Sequence, residues 1–561
     1  MNNPYTIPAI VAVTVATVAI GAYGLRLART TSDLLVASRT VSPGWNAAAI
    51  SGEYLSVASY LGVAGLVLRH GVDMLWYPVG FAAGYLALLL FVAGPLRRSG
   101  AFTLPDFCEA RLRSRRLRKL AAAFVVVIGW LYLVPQLHGA GLTVTTVTGT
   151  PYLIGALLVG AVVTGNVALG GMRAITFVQA FQYWLKLTAL AVPMLFLLLH
   201  WQAGGRPPIT PDDGAVFNEP TTVTLDHAAT LTVTEPVTVE VRGGGPRTLT
   251  PGEHRFPADT TMEFPAGAAV PAVSGVDTEG GLDWLLPGDT STDQGLFATY
   301  SLILATFLGT MGLPHVLVRF YTNPDGAAAR RTTLVVLGLV GLFYLFPTLY
   351  GVLGRVYTPQ LLMTGRTDAV VLLLPSAALG GGTRGELLAA LVAAGAFAAF
   401  LSTSSGLLTS VAGVLSTDVL GRGAVRDFRI SAVVGGTVPV LLALNVASLD
   451  VSQIVGLAFA VAASSFCPLL VLGIWWRGLT DIGAAAGILV GGGAALGSVL
   501  LTVFDAPLPG WWGALTAQPA AWTVPLAFAV MVTGSLLTRH RVPATVAITM
   551  LRLHAPDNLR L

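Results

Sequence analysis

Four ionisable side chains lie inside long apolar stretches of this sequence: Glu53, His138, Lys186 and His315. If those stretches cross a membrane, each charge costs at least about 2.5–3.5 kcal/mol, so each is a candidate functional group. Glu53 is the strongest candidate because it follows Gly52 in a run of small residues, where its carboxylate could neutralise a cation or carry a proton. Histidines in such stretches are more often structural. Lys186 lies near one end of its stretch, and we expect its ammonium to reach the membrane surface.

A pair of hydroxyl groups forms a second candidate site, in the segment AGAFAAFLSTSSGLLTSV. Ser402 and Thr403 follow Ala399 by about one helical turn, so both hydroxyls and the Ala399 carbonyl can face one point. Hard cations take oxygen ligands, and these groups provide oxygen without a permanent buried charge. The alternative is structural, because such hydroxyls often bond to their own helix or join two helices.

Residues that interrupt helices lie near the middle of two apolar stretches. The first contains Gly52, and the second contains Gly312 and Pro314. In transporters of the LeuT type, discontinuous helices at corresponding positions of two inverted repeats form the ion and substrate sites. The second interrupted stretch comes five spans after the first, which fits repeats of five helices. Simple kinks are the alternative for each break taken alone.

The composition indicates a polytopic α-helical membrane protein. Of 561 residues, 54% are hydrophobic and 11% are charged, whereas a soluble domain has about 25% charged residues. The apolar blocks are long enough to cross a hydrocarbon core of about 30 Å as helices. We predict 13 spans, at roughly 6–27, 44–68, 72–95, 118–146, 151–171, 175–200, 294–319, 329–354, 386–414, 427–447, 451–475, 480–503 and 520–538.

The distribution of basic residues predicts the orientation of these spans. Arginines follow the first span at Arg26, Arg29 and Arg39, and a basic run covers Arg111–Lys119. The N-terminus is therefore predicted outside and the C-terminus in the cytoplasm, in a bacterial inner membrane. The membrane domain covers 1–201 and 294–538, and residues 539–561 form a cytoplasmic tail.

Residues 202–293 form an insert with 14 acidic residues and four arginines, predicted to lie outside. Alternating β-branched and polar residues indicate short antiparallel strands. A poorly ordered loop with a hairpin or two and a compact β-domain both fit. The insert contains no nucleophile–base pair or metal-ligand spacing, and no such motif occurs elsewhere. We therefore expect no enzyme activity and no cofactor other than a coupling ion.

Four segments resemble the solute:sodium symporter family, and within it the bacterial cation–acetate or monocarboxylate symporters. These segments are SGEYLSVASYLGVAGLV, GLPHVLVRFYTNPD, FLSTSSGLLTSVAGVLSTDVL and VGLAFAVAASSFCPLLVLGIWW, and the likeness covers about 44–200 and 294–503. The resemblance implies 13 transmembrane helices, a LeuT-type 5+5 inverted-repeat core in spans two to eleven, and an outside N-terminus. The insert is a departure, since family members have a short loop there.

The resemblance also implies site residues. The sodium site would use Gly52, Leu55, Ala399, Ser402 and Thr403. Several members have an aspartate near the first break; here Tyr54 occupies that position, and the adjacent Glu53 is an additional candidate. The implied substrate pocket is lined by Val57, Ala58, Ser59, Gln136, Leu313, Pro314 and His315.

The expected function is sodium-coupled import of a short monocarboxylate, such as acetate, propionate or pyruvate, by alternating access. Transport of a cation with an anion keeps the moving complex near neutral, which limits its desolvation cost. We find no arginine at the implied pocket, so backbone N–H groups at a half-helix end would hold the carboxylate. The alternatives are a carrier of a proton or another solute, which would depend on Glu53 or His315, and a sensor with the transporter fold. No nucleic acid partner is expected.

Overall fold

The structure is a computed structural model that describes residues 3–25, 41–209, 215–225, 228–273, 284, 293–380, 382–420, 425–443, 451–504 and 508–555. The predicted cytoplasmic residues Arg26, Arg29, Arg39 and 421–424 lie outside this description, as does most of 274–292. Ten helical segments are long and apolar enough to cross a membrane. The protein is therefore mostly helical and polytopic.

The described residues of the first half of the membrane domain form eight α-helices. They are α1 Thr6–Leu25, α2 Pro43–Tyr54, α3 Val63–His70, α4 Trp76–Ala87, α5 Ala93–Arg98, α6 Leu104–Leu112, α7 Arg115–Thr148 and α8 Tyr152–Ala203. Turns of π-helix at Ala58–Gly62 and Leu88–Val92 lead into α3 and α5. Gly171 has φ 61° and ψ −172° inside α8, a conformation that glycine adopts at little cost. It divides α8 into two helices at the predicted boundary between two spans.

In the second half, the part of the chain that the structure describes forms thirteen further α-helices. They are α9 Asp293–Gly312, α10 Pro314–Phe320, α11 Gly326–Tyr357, α12 Gln360–Thr364, α13 Val370–Leu379, α14 Thr383–Val414, α15 Val425–Ala443, α16 Val451–Trp475, α17 Asp481–Gly487, α18 Gly493–Val503, α19 Trp511–Ala517, α20 Ala520–Leu537 and α21 Val546–His554. A π-helical turn, Leu415–Val419, extends α14, and another, Ile488–Gly492, joins α17 to α18.

Both predicted helix breaks are confirmed. Leu55, which follows α2, has φ −73° and ψ 83°, and Leu313, between α9 and α10, has φ −71° and ψ 115°. Neither pair of angles is helical.

Two of the ten candidate spans contain 41 and 52 residues, more than the roughly 20 that one crossing needs. The total of 13 spans and the inverted repeat remain predictions.

The insert forms two small β-sheets. Its strands are β1 Thr221–Leu225, β2 Ala229–Val233, β3 Val237–Val241, β4 Gly245–Leu249, β5 Gly252–Phe256, β6 Thr260–Phe264 and β7 Ala272–Val273. One sheet has the order β1-β6-β3-β4 and the other β5-β2-β7. Alternate apolar side chains, including Val223, Val239 and Met262, are fully buried. The described part of the insert is therefore a folded β-domain rather than a poorly ordered loop.

This β-domain packs against one end of the membrane domain. The Asn218 side-chain amide donates to the carbonyl of Val356, near the end of α11, at 2.7 Å. The neighbouring Arg355 guanidinium lies 4.9 Å from the ring centre of Trp284, a distance at which a cation and an aromatic ring attract each other. The domain therefore rests on helix ends.

Candidate cation and substrate site

The first helix break meets α14 at the predicted hydroxyl pair. The Ser402 hydroxyl lies 2.7 Å from the Gly52 carbonyl oxygen and 3.1 Å from that of Ala399. The Thr403 hydroxyl donates to the carbonyl of Glu53 at 2.6 Å. The last carbonyl groups of a helix have no partner within it, so α14 satisfies carbonyls that the end of α2 leaves open.

Lys186 of α8 lies at the centre of this arrangement. Its Nζ lies 2.5 Å from the Gly52 carbonyl oxygen, 2.7 Å from that of Leu55 and 3.0 Å from the Ser402 hydroxyl. The side chain is fully buried, so the expectation that it reaches the membrane surface is wrong. A lysine ammonium has three N–H donors, and the unwound backbone supplies acceptors in the interior.

The five residues of the predicted cation site are thus brought together, with a lysine among them. A glycine is needed for this approach, because a Cβ at Gly52 would lie 2.2 Å from the Gln179 carbonyl oxygen of α8. No atom larger than hydrogen fits there. Because glycine has no Cβ, α2 can lie close enough to α8 for Lys186 to reach the end of α2. The role of these residues as ion ligands remains a prediction.

A buried ion pair adjoins the lysine. Arg319 of α10 donates from Nε to the Glu53 carboxylate at 2.5 Å, and its guanidinium also donates to Thr176 and Gln179. The Gln179 amide in turn donates to the Ser402 carbonyl at 2.7 Å. The Glu53 side chain is thus paired with arginine, and its backbone carbonyl faces α14.

Sequence reasoning did not select Arg319, which is the last residue of its predicted span. Its spacing of four from His315, within one short helix, was the available signal, since residues four apart share a helix face. Glu53, Lys186 and Arg319 are each at most 1% exposed. Their formal charges leave this buried region with one net positive charge.

The predicted substrate residues are all buried beside the two breaks. The Val57 backbone N–H donates to the Gln136 side-chain oxygen at 3.2 Å, and the Ser59 hydroxyl bonds to the Tyr344 hydroxyl at 2.8 Å. The ring of His315 lies 5.3 Å from that of Tyr132, which sequence reasoning did not select. Among the described residues, the two ring nitrogens of His315 have no hydrogen-bond partner, and the Gln136 amide nitrogen has none either. These groups are available to a polar solute; their role remains a prediction.

A cleft approaches the second break from the side of α6. Its wall includes Leu104, Val125, Met172, Pro314, Thr409 and Gly413. Pro314 lies next to His315 in the chain, so the cleft points toward the predicted pocket.

A second charged cluster lies near this cleft, and we call it the rim cluster: Arg118, Asp106, Glu109 and Asp418. The Arg118 guanidinium lies 2.7 Å from both Asp106 and Glu109 and also contacts Asp418. Burial raises the pKa of the Asp106 carboxyl, an effect that Arg118 opposes. The cluster ties α6, α7 and the end of α14 together.

Comparison with known proteins identifies the family. The sequence pattern of the sodium:solute symporter family matches residues 34–209 and 269–491. The chain belongs to this family. A monocarboxylic acid transporter of Corynebacterium glutamicum is 31% identical over 546 residues, which cover 91% of this chain and 88% of the relative. An uncharacterised symporter of Bacillus subtilis is 30% identical over 481 residues, 84% of this chain and 80% of the relative. The relatives are named as transporters, not enzymes.

Solved structures show the same fold in distant proteins. A sodium-coupled sialic acid symporter in a substrate-bound outward-open state aligns with a TM-score of 0.64 and 14% identity, over 95% of this chain and 97% of that one. A nucleobase–cation symporter in a closed conformation aligns with a TM-score of 0.52 and 13% identity, over 92% and 98%. These likenesses show that this multi-pass symporter shares its fold with symporters of other solutes.

Proposed function

We propose that this protein is a secondary active symporter that imports a short monocarboxylate, such as acetate, propionate or pyruvate, together with a cation. The observation that carries the proposal is the net positive charge of Glu53, Lys186 and Arg319 beside the first helix break. A buried charge without a counter-charge is costly, and a carboxylate bound nearby would neutralise it. The relative named as a monocarboxylic acid transporter supports the same solute class.

The tight burial of the predicted pocket-lining side chains supports a short solute, because it leaves little space between them. Val57 and Ala58 follow the first break and Pro314 follows the second, and all three are buried. The Gln136 amide nitrogen and the protonated ring nitrogen of His315 are hydrogen-bond donors available to one carboxylate.

Two coupling ions are compatible with this proposal. The family and the hydroxyl pair favour sodium, which Gly52, Leu55, Ala399, Ser402 and Thr403 would bind. The Lys186 ammonium donates hydrogen bonds to three of these residues, Gly52, Leu55 and Ser402. This contact favours a proton rather than sodium as the coupling ion.

The proposed transport cycle uses alternating access in a membrane domain with 13 helices and a 5+5 inverted repeat. The N-terminus lies outside, the C-terminus lies in the cytoplasm, and the β-domain is extracellular. The two helix breaks support the repeat, since transporters of this kind place their sites at such breaks.

Exchange in proteoliposomes tests the solute class without assuming a coupling ion. Vesicles loaded with unlabelled acetate, propionate or pyruvate should take up the labelled acid by counterflow, and vesicles loaded with proline should not. Protein-free vesicles measure the diffusion of the uncharged acid. Exchange of proline but of none of the three acids would contradict the proposal.

A further inference from the structure

We infer that α21, the last helix that the structure describes, lies along the membrane surface and binds anionic phospholipid headgroups through the arginines beside it. This surface is separate from the transport site, so the inference does not depend on the solute or on the coupling ion.

The helix α21 has two apolar faces. Met550 and Leu553 are 5% and 1% exposed, and α21 packs against α5 and α16. Ile548 and Leu551, in contrast, are 70% and 56% exposed. Residues three apart lie on the same side of a helix, so each pair forms one face. The first face holds α21 on the membrane domain, and the second is open on the side away from it.

The neighbours of α21 place it at the boundary of the membrane. The ring of His554 lies 4.8 Å from that of Trp475, and the Trp475 indole donates to the Phe91 carbonyl at 3.0 Å. Trp475 and Phe91 are 50% and 47% exposed, and both belong to candidate membrane spans. Exposed apolar side chains on such spans face lipid, and tryptophan is enriched at the level of the headgroups. The end of α21 therefore lies beside the lipid-facing surface at that level.

The path of the chain keeps the rest of α21 at the same level. Eight residues, 538–545, connect α20 to α21. Among them Arg541 donates to the Asp481 carboxylate, at the start of α17, at 3.0 Å. At the other end of α21, the Arg98 guanidinium donates to the Leu553 carbonyl at 3.4 Å. The segment is thus fixed to span ends on both sides, and α21 lies across them rather than extending away from the membrane.

Three exposed arginines surround the open face. Arg477 follows α16, Arg539 follows α20, and Arg552 is on α21 itself. Within the described part of the chain, none of the three forms an ion pair with a carboxylate. Their guanidinium groups are therefore free to bind an anionic partner.

The local charge identifies the chemistry of that partner. Residues 474–481 and 538–555 contain four arginines and one carboxylate, that of Asp481, which already binds Arg541. A guanidinium binds phosphate through two parallel hydrogen bonds, and amphipathic helices with basic residues bind anionic membrane surfaces. Because the open face continues the lipid-facing surface, the phosphate that fits here is that of an anionic phospholipid.

A fluorescent label on the open face tests its contact with lipid. Ile548→Cys is labelled with bimane in proteoliposomes of equal amounts of phosphatidylcholine and phosphatidylglycerol, with a nitroxide quencher on the acyl chains near the headgroup. Cys108 and Cys467 are buried, so the introduced thiol is the one that reacts. Quenching should be at least about threefold stronger than for a label on the matched control, Thr248→Cys.

The control position lies in the β-domain. It is on β4, at the opposite edge of its sheet from β1, and β1 is the strand of that sheet that contacts α12. Equal quenching at the two positions would overturn the inference. Protection of the label at position 548 from the quencher would show that protein, such as a second copy of the chain, covers the face, and this result would overturn it too.

The headgroup is tested with a trace of nitroxide lipid that is either phosphatidylglycerol or phosphatidylcholine. Arginines near the surface attract anionic lipid, so the anionic quencher should be at least about threefold more effective at position 548. Combining Arg477→Gln, Arg539→Gln and Arg552→Gln should bring the ratio of the two quenchers close to one. A ratio close to one with the arginines intact, or a ratio that the triple variant leaves unchanged, would overturn the inference.

The matched control removes the same charge elsewhere. Arg242→Gln, Arg247→Gln and Arg255→Gln are exposed positions of the β-domain, and together they should leave the ratio as it is. If the first triple variant does not fold, the salt dependence of the ratio with all arginines intact decides the inference. High salt screens exposed charges and should lower the ratio toward one, whereas a ratio that is independent of salt would overturn the inference.

Discussion

Two clusters of charged side chains use the same pairing of guanidinium with carboxylate in different surroundings. The deep cluster, Glu53, Lys186 and Arg319, is at most 1% exposed and lies at the first helix break. In the rim cluster, the Arg118 side chain is 26% exposed and that of Glu109 is 30% exposed. Water can replace a lost partner at the rim and cannot do so in the deep cluster.

This difference predicts separate roles. Removing one partner of a buried pair leaves an uncompensated charge and costs about 3–5 kcal/mol, whereas an exposed pair contributes about 0–1 kcal/mol. The deep cluster has one formal net positive charge, which a bound anion can balance. The rim cluster, with one guanidinium and three carboxylates, is formally negative. We therefore expect the deep cluster to determine transport and the rim cluster to adjust stability on one side.

The largest expected effect is that of Glu53→Gln. It leaves the buried Arg319 and Lys186 without any carboxylate, so the free energy of unfolding should fall by about 3–5 kcal/mol. Chemical denaturation in detergent, followed by tryptophan fluorescence, measures this change. The matched control is Glu109→Gln in the rim cluster, expected to cost about 1 kcal/mol or less. Equal losses for the two variants would show that burial does not distinguish the clusters.

A smaller effect is expected at the hydroxyl pair. Ser402→Ala removes one acceptor from the Lys186 ammonium, and Thr403→Val removes the donor to the Glu53 carbonyl. Each loss should cost about 1–3 kcal/mol. At the proposed sodium site each variant lacks one ligand, so the sodium concentration for half-maximal uptake should rise by roughly 5- to 150-fold.

Ser404→Ala and Ser416→Ala are the controls for this pair. Both side chains are buried in the same helical segment, but they make no contact with Lys186 among the described hydrogen bonds. They should leave the sodium concentration for half-maximal uptake unchanged. If all four variants behave alike, the sodium assignment is wrong.

The sequence predicted these features unequally, for a physical reason. Glycine and proline act locally, so both breaks could be placed at Gly52 and at Gly312–Pro314. The alternation of the insert predicted its strands. Lys186 could not be placed in the same way, because its acceptors lie 131 to 216 residues away along the chain. Its position near one end of its stretch suggested that the ammonium reaches the membrane surface. Only the packing of α2 against α8 reveals hydrogen-bond acceptors for it in the interior.

At the rim we expect a modest, salt-dependent effect of Arg118→Ala. The substitution removes three ion pairs at once. The Arg118 side chain is 26% exposed, so the total loss should be about 1–2 kcal/mol. The loss should shrink at high salt, where exposed charges are screened. Thermal unfolding at low and high ionic strength measures it, with the exposed Arg116→Ala as the control. A salt-independent loss would show that the rim cluster behaves like the deep one.

The smallest effect on transport is expected from the largest deletion, replacement of residues 206–288 by a short Gly/Ser linker. The β-domain has its own buried core, and its contacts with the membrane domain, through Asn218 and Trp284, are at helix ends. Neither contact involves the deep cluster, so uptake should stay within a few fold of wild type. Arg355 loses the Trp284 ring, which contributes about 0.5–2 kcal/mol, and Trp284→Leu in the intact chain serves as the control for that loss. If the linker variant unfolds no more easily than Trp284→Leu but transports at least tenfold more slowly, the β-domain takes part in opening or closing the outer side.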